Sequence, residues 1–214
     1  MNPVYLFYEN PHFESQKETK PFLQYLAEEE EKVREVIKGG RALDVGCGNG
    51  RSTLILSDIS DHVMGIDFSE RLLKQAKSRF KDRNNVKLYL ENAKSMHFDD
   101  SSFNYVVMLW NTFGNLYSLR DRILQEVKRV LKPNGKILIS VFSENVLPAY
   151  FEMLKQNKLE VAHFDENYVF LTEGLVSERF SKGKLEKIFQ KAGLDFKIEP
   201  LTEISYWCEA RKNN

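Results

Sequence analysis

The sequence predicts an α/β protein with a doubly wound, mostly parallel sheet, and three observations support this. Strand-like and helix-like stretches alternate from Arg41 onward, which is typical of βαβ units. Three alternating glycines, Gly46, Gly48 and Gly50, separate the first strand-like stretch from a helix-like one, as in turns that bring the backbone close to a nucleotide. An acid, Asp67, ends the second strand-like stretch. We therefore expect a nucleotide site at the carboxyl edge of the sheet.

Composition indicates one globular domain. The 214 residues suit a single core, and 42% of them are hydrophobic. The 31 basic and 31 acidic residues cancel, so nucleic acid is not the expected partner. The amino terminus resembles no signal peptide, and no uncharged run approaches the ~20 residues of a membrane helix. Two cysteines without CxxC spacing fit a reducing compartment, so we expect a cytoplasmic protein with no membrane partner.

The first 142 residues predict a helix followed by the regular part of the sheet. Apolar residues at helical spacing predict a helix over about 14–38, and Gly39-Gly40 end it. The acidic block at 28–31 is interpreted as a solvated face of this helix. Strands are predicted over 41–46, 62–67, 86–91, 103–109 and 136–142, with helices over 69–81 and 119–131. A turn is predicted at 132–135, where Pro, Asn and Gly cluster.

The remainder predicts an insertion and a closing unit. A helix is expected over 144–158, a hairpin over 168–180 with Glu173-Gly174 at its turn, and a helix over 182–192. Two strands, 196–199 and 204–209, end the pattern. We therefore divide a single domain into an amino-terminal lid and helix (1–40), a cofactor-binding core (41–142), a substrate-side insertion (143–181) and a carboxy-terminal helix with strands (182–214).

The spacing of the glycines bears on the type of nucleotide. A dinucleotide fingerprint reads GxGxxG, whereas this turn reads GxGxG and has Arg51 at the position of the third glycine. Asp67 suits the ribose of NAD or of S-adenosylmethionine equally well. Asp44, two residues before the first glycine, discriminates better between the two.

Residues 44–50 (Asp-Val-Gly-Cys-Gly-Asn-Gly), with 65–69 (Gly-Ile-Asp-Phe-Ser), resemble the class I S-adenosylmethionine-dependent methyltransferases. Segments at 91–98, 103–107 and 130–136 match the later parts of that family in the expected order. The resemblance implies a Rossmann-like sheet of seven strands, mostly parallel with an antiparallel last strand, and helices on both faces. It implies S-adenosylmethionine as cofactor, S-adenosylhomocysteine as product, and no metal.

The resemblance also implies roles for individual residues. The glycine turn would pass against the methionine and ribose parts, Asp44 would organise the ammonium group, and Asp67 would accept from the ribose hydroxyls. Phe68 would lie against the adenine, while Asn92 and the Ala93 N–H would meet its polar edge. The full predicted cofactor set is Asp44, Gly46, Cys47, Gly48, Asn49, Gly50, Asp67, Phe68, Ser69, Asn92, Ala93 and Leu109.

The residues after the fourth strand, 110–116, indicate the class of methyl acceptor. In this family they face the methyl group, and here they read Trp-Asn-Thr-Phe-Gly-Asn-Leu. They lack the Asn/Asp-Pro-Pro-aromatic motif of amino-methylating nucleic acid enzymes and the acidic pair of arginine methyltransferases. They also lack the leading Asp of metal-dependent catechol-type enzymes. We therefore expect methyl transfer, by in-line displacement, to a nitrogen or oxygen of a small molecule.

Four residues are candidates for contact with the acceptor, and three of them have a structural alternative. Asn111 orients the acceptor or caps the next helix. Trp110 forms a wall around the sulfonium or is simply packed at the strand end. His163, in the insertion, is the best candidate general base. Arg179, in the hairpin, clamps a substrate carboxylate or makes a surface salt bridge.

The amino-terminal aromatic residues Tyr5, Phe7, Tyr8 and Phe13 are predicted to fold over the cofactor as a lid, or alternatively to cover the sheet exterior. Two other classes of function remain open: a non-catalytic S-adenosylmethionine-binding regulator or partner subunit, and an RNA or protein methyltransferase. The oligomeric state, monomer or homodimer, is not determined by the sequence.

Overall fold

The computed structural model describes Tyr8 and residues 18–212, which contain a seven-stranded mixed sheet. Five of its strands come first in the chain: Arg41–Val45 (β1), His62–Asp67 (β2), Val86–Leu90 (β3), Phe103–Met108 (β4) and Leu131–Phe142 (β5). The other two, Leu194–Thr202 (β9) and Ser205–Lys212 (β10), come last, after the three strands of a smaller sheet. Three short strands, Val161–Phe164 (β6), Tyr168–Leu171 (β7) and Val176–Glu178 (β8), form a second sheet.

The large sheet has the strand order β3-β2-β1-β4-β5-β10-β9. Strands β1 to β5 are parallel, and β10 runs antiparallel to both of its neighbours, β5 and β9. The predicted Rossmann-like sheet with an antiparallel last strand is therefore confirmed. The carboxyl ends of β1, β2, β4 and β5 meet at one edge, where open α/β sheets bind ligands.

Helices cover both faces of the sheet. They are Lys20–Val36 (α1), Arg51–Ile59 (α2), Glu70–Arg79 (α3), Thr112–Asn115 (α4), Arg120–Val130 (α5), Leu147–Gln156 (α6) and Lys182–Lys191 (α7), with 3₁₀ turns at Tyr117–Leu119 and Glu144–Val146. One face packs against α5 and α7 through residues such as Val127 and Phe189, and the other against α1 and α2 through residues such as Val33 and Leu56. None of the helices in the described part of the chain is long and apolar enough to cross a bilayer.

The interpretation of the acidic block in α1 is wrong for one residue. Glu29 is completely buried on the stripe of α1 that also buries Phe22, Tyr25 and Val33. These positions follow helical spacing, so Glu29 lies on the apolar face despite its charge. Its partners, described below, explain how a carboxylate is tolerated there.

Two further elements differ from the sequence prediction. The expected turn at 132–135 is part of β5, which begins at Leu131, directly after α5; Leu131 pairs with Phe103, and the register shifts before Tyr105. Such an irregularity accommodates Pro133, which has no N–H for a ladder. The predicted hairpin is present as β7 and β8, but β6 adds a strand that the sequence did not indicate, because three of its four residues are exposed and give no apolar alternation.

The insertion builds a second core above the carboxyl edge of the sheet. Tyr150 and Met153 of α6 and Val169 and Leu171 of β7 pack together with Phe22 of α1. Tyr8, Phe68 and Trp110 pack against the same cluster. The insertion and α1 therefore enclose the edge where the predicted site residues lie.

Candidate functional site

The glycine turn after β1 is held in a conformation that favours glycine. Gly46, Gly48 and Gly50 have φ of 73°, 51° and 88°, the left-handed region that side chains rarely adopt. A Cβ at Gly46 would lie 2.7 Å from Cγ2 of Thr112, the first residue of α4. The turn therefore packs directly against the start of α4, and only glycine leaves room for that approach.

Asp67 at the end of β2 is joined to the glycine turn. Its Oδ2 accepts a hydrogen bond of 2.8 Å from the Gly48 N–H, and its Oδ1 accepts one of 2.8 Å from the Ser69 N–H. The residue is 8% exposed. Because each carboxylate oxygen can accept more than one hydrogen bond, this fixed carboxylate suits a pair of ribose hydroxyls.

Asp44 lies beneath the turn as a buried carboxylate. Its Oδ2 accepts hydrogen bonds from Oγ of Ser52 (2.7 Å) and Oγ1 of Thr53 (2.6 Å), both in the first turn of α2. Burial raises the pKa of Asp44 to about 6, against the lowering effect of these two hydrogen bonds. At neutral pH the site therefore holds a poorly solvated negative charge, which suits an ammonium group.

Other predicted cofactor residues surround this pair. Cys47 is buried, and desolvation raises its thiol pKa well above the usual value, which fits packing rather than nucleophilic chemistry. Asn49 is exposed at the tip of the turn. Leu109, at the end of β4, is buried, and its carbonyl accepts from Thr112 Oγ1 at 2.8 Å.

The adenine-side residues lie beyond β2 and β3. Phe68 is half-buried, and Ser69 is fully buried with its hydroxyl accepting from the Leu72 N–H at 3.2 Å as the cap of α3. Asn92 is exposed, and its Oδ1 accepts from the Lys94 N–H at 3.1 Å. Ala93 is half-buried against the main core. The Asn92 oxygen thus stabilises its own turn, and its predicted role toward adenine stays a prediction.

Trp110 connects the end of β4 to α1. Its backbone has φ of 54°, and its N–H donates to Glu29 Oε1 at 2.8 Å and to Ser140 Oγ at 2.9 Å. Its ring packs beside Tyr25 with a centroid distance of 5.1 Å, and the Arg51 guanidinium lies 5.7 Å from the ring centroid. Glu29 and Arg51 form an ion pair of 2.6 Å. Sequence analysis placed neither of them in the site.

Asn111 holds three strands together and leaves little of its amide for a ligand. Its Nδ2 donates to Ser177 Oγ at 3.0 Å and to the Glu178 carbonyl at 3.2 Å, while its Oδ1 accepts from the Phe142 N–H at 3.0 Å. The residue is 1% exposed. It precedes α4 but makes no capping hydrogen bond through its side chain. The structure therefore assigns Asn111 a positioning contact between β4, β5 and β8, in place of the expected direct contact with the acceptor.

Tyr8 is the one residue of the predicted lid that the structure describes; Tyr5, Phe7 and Phe13 lie outside the described residues.

The Tyr8 carbonyl accepts from Arg71 Nε (3.0 Å) and Nη2 (2.9 Å), and its hydroxyl accepts from Asn115 Nδ2 (3.0 Å). Its ring meets that of Phe68 edge-on, with centroids 5.9 Å apart. Burial raises the pKa of the Tyr8 hydroxyl, and the charge of Asp67 adds to this. Tyr8 therefore connects the start of α3 to the end of α4, and its role as a lid stays a prediction.

His163 and Arg179 lie in the insertion, but their contacts differ from those that their predicted roles require. His163 is exposed on β6, and its ring stacks on Phe170, so it lacks the enclosure expected of a general base. Arg179 is 5% exposed and donates to the backbone carbonyls of Asp165 and Tyr168 (3.4 Å for the latter). It therefore stabilises the loop before β7 rather than clamping a carboxylate or forming a surface ion pair.

A further buried carboxylate lies beside Asn111, whose Nδ2 donates to the Glu178 carbonyl. Glu178 in β8 is fully buried and pairs with Arg120 and, at 2.7 Å, with Lys184. Arg120 also lies 5.0 Å from the centroid of Phe113. These ion pairs attach the insertion to α5 and α7. In the described residues, no group of three or more His, Cys, Asp or Glu is arranged to hold a metal ion.

Comparisons with known proteins agree with this geometry. A family model described as a methyltransferase domain matches residues 37–193. The demethylmenaquinone methyltransferase of Staphylococcus aureus (strain JH9) is 35% identical over 172 residues, covering 74% of this chain and 69% of that protein. The chain belongs to the class I S-adenosylmethionine-dependent methyltransferases.

Solved structures show the same fold. The DhpI protein, in a structure titled as its SAH complex, has a TM-score of 0.75 at 15% identity, with coverage of 98% of this chain and 95% of that one. The PH0226 protein from Pyrococcus horikoshii OT3 has a TM-score of 0.74 at 22% identity, with coverage of 91% and 93%. At these identities the likeness concerns the fold.

The residues present fit S-adenosylmethionine. The turn at Gly46 has no side chain that would fill the approach, Asp67 is fixed for hydroxyl donors, and Asp44 offers a buried negative charge. When bound, the cofactor supplies an activated methyl group on a sulfonium. When the cofactor is bound, Asp67 would hold its ribose hydroxyls and Asp44 its ammonium group.

Proposed function

We propose that this methyltransferase transfers the methyl group to a nitrogen or oxygen of a small, neutral and largely apolar acceptor. The observation that carries the proposal is a group of packed rings, the aromatic cluster, at the carboxyl edge of the sheet. Its members are Phe22, Tyr25, Trp110, Phe142 and Tyr150. Phe22, Tyr25, Phe142 and Tyr150 are buried and Trp110 is half-buried, so an acceptor would meet this cluster through the Trp110 ring. Apolar and aromatic walls with few polar groups are the usual lining of small-molecule sites.

The charges around the aromatic cluster favour a neutral acceptor. Arg51 lies over the Trp110 ring but is paired with Glu29 at 2.6 Å. Capturing a substrate carboxylate with Arg51 would break this pair and leave Glu29 buried and uncompensated, which is strongly unfavourable. Arg179, the predicted carboxylate clamp, is engaged with backbone carbonyls. A neutral ring system avoids both costs.

Orientation is the main task of the protein in this reaction. A lone pair on the acceptor forms a bond to the methyl carbon as the carbon–sulfur bond breaks, and the bonding electrons stay on sulfur. The acceptor loses a proton to solvent or to a nearby base after or during the transfer. Holding the two reactants in line contributes up to ~7–11 kcal/mol in ideal cases. The rigid loop at Trp110 and Asn111, tied to β5 and β8, supports such alignment.

The test is a transfer assay with a panel of neutral aromatic acceptors. A reduced demethylmenaquinone is included because the Staphylococcus aureus relative carries that substrate in its name, and a phenol and an aromatic amine complete the panel. Formation of S-adenosylhomocysteine together with one methylated product, located by mass spectrometry and NMR, supports the proposal. If the methyl group is found on a carbon of the acceptor, the proposed acceptor class is supported and the proposed atom, nitrogen or oxygen, is wrong. In a cell extract supplied with methyl-labelled S-adenosylmethionine, label found only in the protein or RNA fraction would overturn the small-molecule proposal. Tight binding of S-adenosylmethionine without transfer to any acceptor would also overturn it and would favour a non-catalytic regulator.

A further inference from the structure

Glu29 is a buried charge near the site with three polar partners in the described part of the chain. It is completely buried in the middle of α1. Its Oε1 accepts from the Trp110 N–H at 2.8 Å and from the Ser140 hydroxyl, and its Oε2 pairs with Arg51 Nη2 at 2.6 Å. Four parts of the fold therefore meet at one carboxylate: α1, the start of α2, the segment just after β4 and the carboxyl-terminal part of β5.

The two sides joined by Glu29 are the two sides of the reaction. Arg51 is the first residue after the glycine turn and opens α2, so it belongs to the side that holds the methyl donor. Trp110 opens the loop after β4, on the acceptor side, in a left-handed conformation with φ of 54°. Such a conformation is unfavourable for a bulky residue and persists only when its surroundings impose it. The two hydrogen bonds that the Trp110 N–H donates, to Glu29 and to Ser140, provide that constraint.

Ser140 completes the arrangement from β5. Its hydroxyl donates to Glu29 and accepts from the Trp110 N–H at 2.9 Å and from the Tyr25 hydroxyl at 2.9 Å. The network therefore also holds a ring of the aromatic cluster. A buried ion pair is rarely a net source of stability, because desolvation offsets the attraction. Geometry is therefore the better explanation for a charge in this apolar layer.

We propose that Glu29 is a positioning residue that fixes the acceptor-side loop at Trp110 relative to the donor-side glycine turn, and so aligns the two reactants. This inference rests on the methyltransferase activity and not on the identity of the acceptor. Its test therefore uses the donor and the product alone. S-adenosylmethionine carries the transferred methyl group and S-adenosylhomocysteine lacks it, so the ratio of their dissociation constants reports on the surroundings of the methyl group.

The variants are Glu29→Gln, which removes the charge but keeps the shape, and Ser140→Ala, which loosens the network without changing any charge. Glu31→Gln is the matched control, since Glu31 is exposed in the same helix. Both constants are measured by calorimetry without acceptor, and folding is followed by thermal unfolding. We expect Glu29→Gln and Ser140→Ala each to weaken S-adenosylmethionine more than S-adenosylhomocysteine. The dissociation constant of S-adenosylmethionine divided by that of S-adenosylhomocysteine should therefore rise by about three- to ten-fold, as expected for loss of about one hydrogen bond. Glu31→Gln should leave the ratio unchanged.

A purely structural role for Glu29 would weaken both ligands in proportion and leave the ratio within about two-fold of the parent; that result overturns the proposal. A ratio that changes in Glu29→Gln but not in Ser140→Ala also overturns it, because charge and not geometry would then be responsible. If Glu29→Gln does not fold, the ratio of the two dissociation constants measured for Ser140→Ala alone decides whether the proposal stands. Since no acceptor is used, failure of the proposed acceptor class leaves this test intact.

Discussion

The Gly48 N–H donates a hydrogen bond of 2.8 Å to Oδ2 of Asp67, joining the glycine turn after β1 to the acid at the end of β2. Strand β1, which leads into the turn, and strand β2, which ends at Asp67, are parallel neighbours that end at the same edge of the sheet. A ligand that contacts the turn therefore meets a carboxylate whose position is already defined, which reduces the ordering that binding requires.

Asp67→Ala should weaken binding of S-adenosylhomocysteine by ~1–3 kcal/mol, about 5- to 150-fold, because ribose hydroxyls and the Gly48 N–H lose their acceptor. Isothermal calorimetry measures the change. Asp82→Ala, at an aspartate whose side chain is 87% exposed, serves as the control and should bind normally. Unaltered affinity in Asp67→Ala would show that the ribose lies elsewhere.

Gly46→Ala should destabilise the fold by about 2–4 kcal/mol, from the left-handed backbone and from overlap of the new Cβ with Thr112 Cγ2. Urea unfolding measures the free energy. Thr112→Ser removes that methyl while keeping the hydroxyl that donates to the Leu109 carbonyl, so it should recover part of the loss in the double variant. Gly183→Ala, where a Cβ meets nothing within 4 Å, should not destabilise. Equal stability of Gly46→Ala and the parent would contradict the close approach.

Asp44 should make the fold less stable as the pH rises. Its pKa is about 6 in the folded protein and about 4 in an unfolded chain, so the folded state binds more protons between these values. The free energy of unfolding therefore falls across this window, by up to about 3 kcal/mol from this group, and the loss persists above pH 6. Asp44→Asn should flatten the profile measured by urea unfolding from pH 4 to 7. Parallel profiles for the two proteins would refute the assignment.

The same titration predicts tighter cofactor binding at higher pH. Ionised Asp44 attracts the ammonium of the methionine moiety, so the affinity for S-adenosylhomocysteine should rise as the pH passes through about 6. Calorimetry at several pH values from 5 to 8 tests this. In Asp44→Asn the affinity should be lower and should lose this rise; a rise that persists in the variant would assign it to another group.

Arg71→Met should speed dissociation of S-adenosylhomocysteine by about three- to ten-fold, because the Tyr8 carbonyl loses the guanidinium that holds it. Stopped-flow displacement measures the rate. Arg79→Met, at an exposed arginine of the same helix, is the matched control. If both variants release the ligand at the parental rate, Tyr8 does not act as a lid.

Much of the donor side was predictable because its determinants are local. The glycines need positive φ within a five-residue turn, and Asp67 ends a strand whose neighbour ends in that turn, so short motifs carry the geometry. The acceptor side was less predictable. Asn111 was correctly placed at the strand end, but its partners Ser177 and Glu178 are 66 and 67 residues away, and nothing in the local pattern distinguishes an amide that meets substrate from one that joins three strands.

The sequence by itself determined the fold class, the glycine turn and the class of donor, because periodicity and turn chemistry act over a few residues. Only the tertiary structure decided which charges are buried. Glu29 lies in a run of four glutamates that reads as a solvated face, and its burial depends on Arg51, Trp110 and Ser140, which are 22, 81 and 111 residues away. A buried charge is tolerated only where such partners converge, and that convergence is a property of the folded chain.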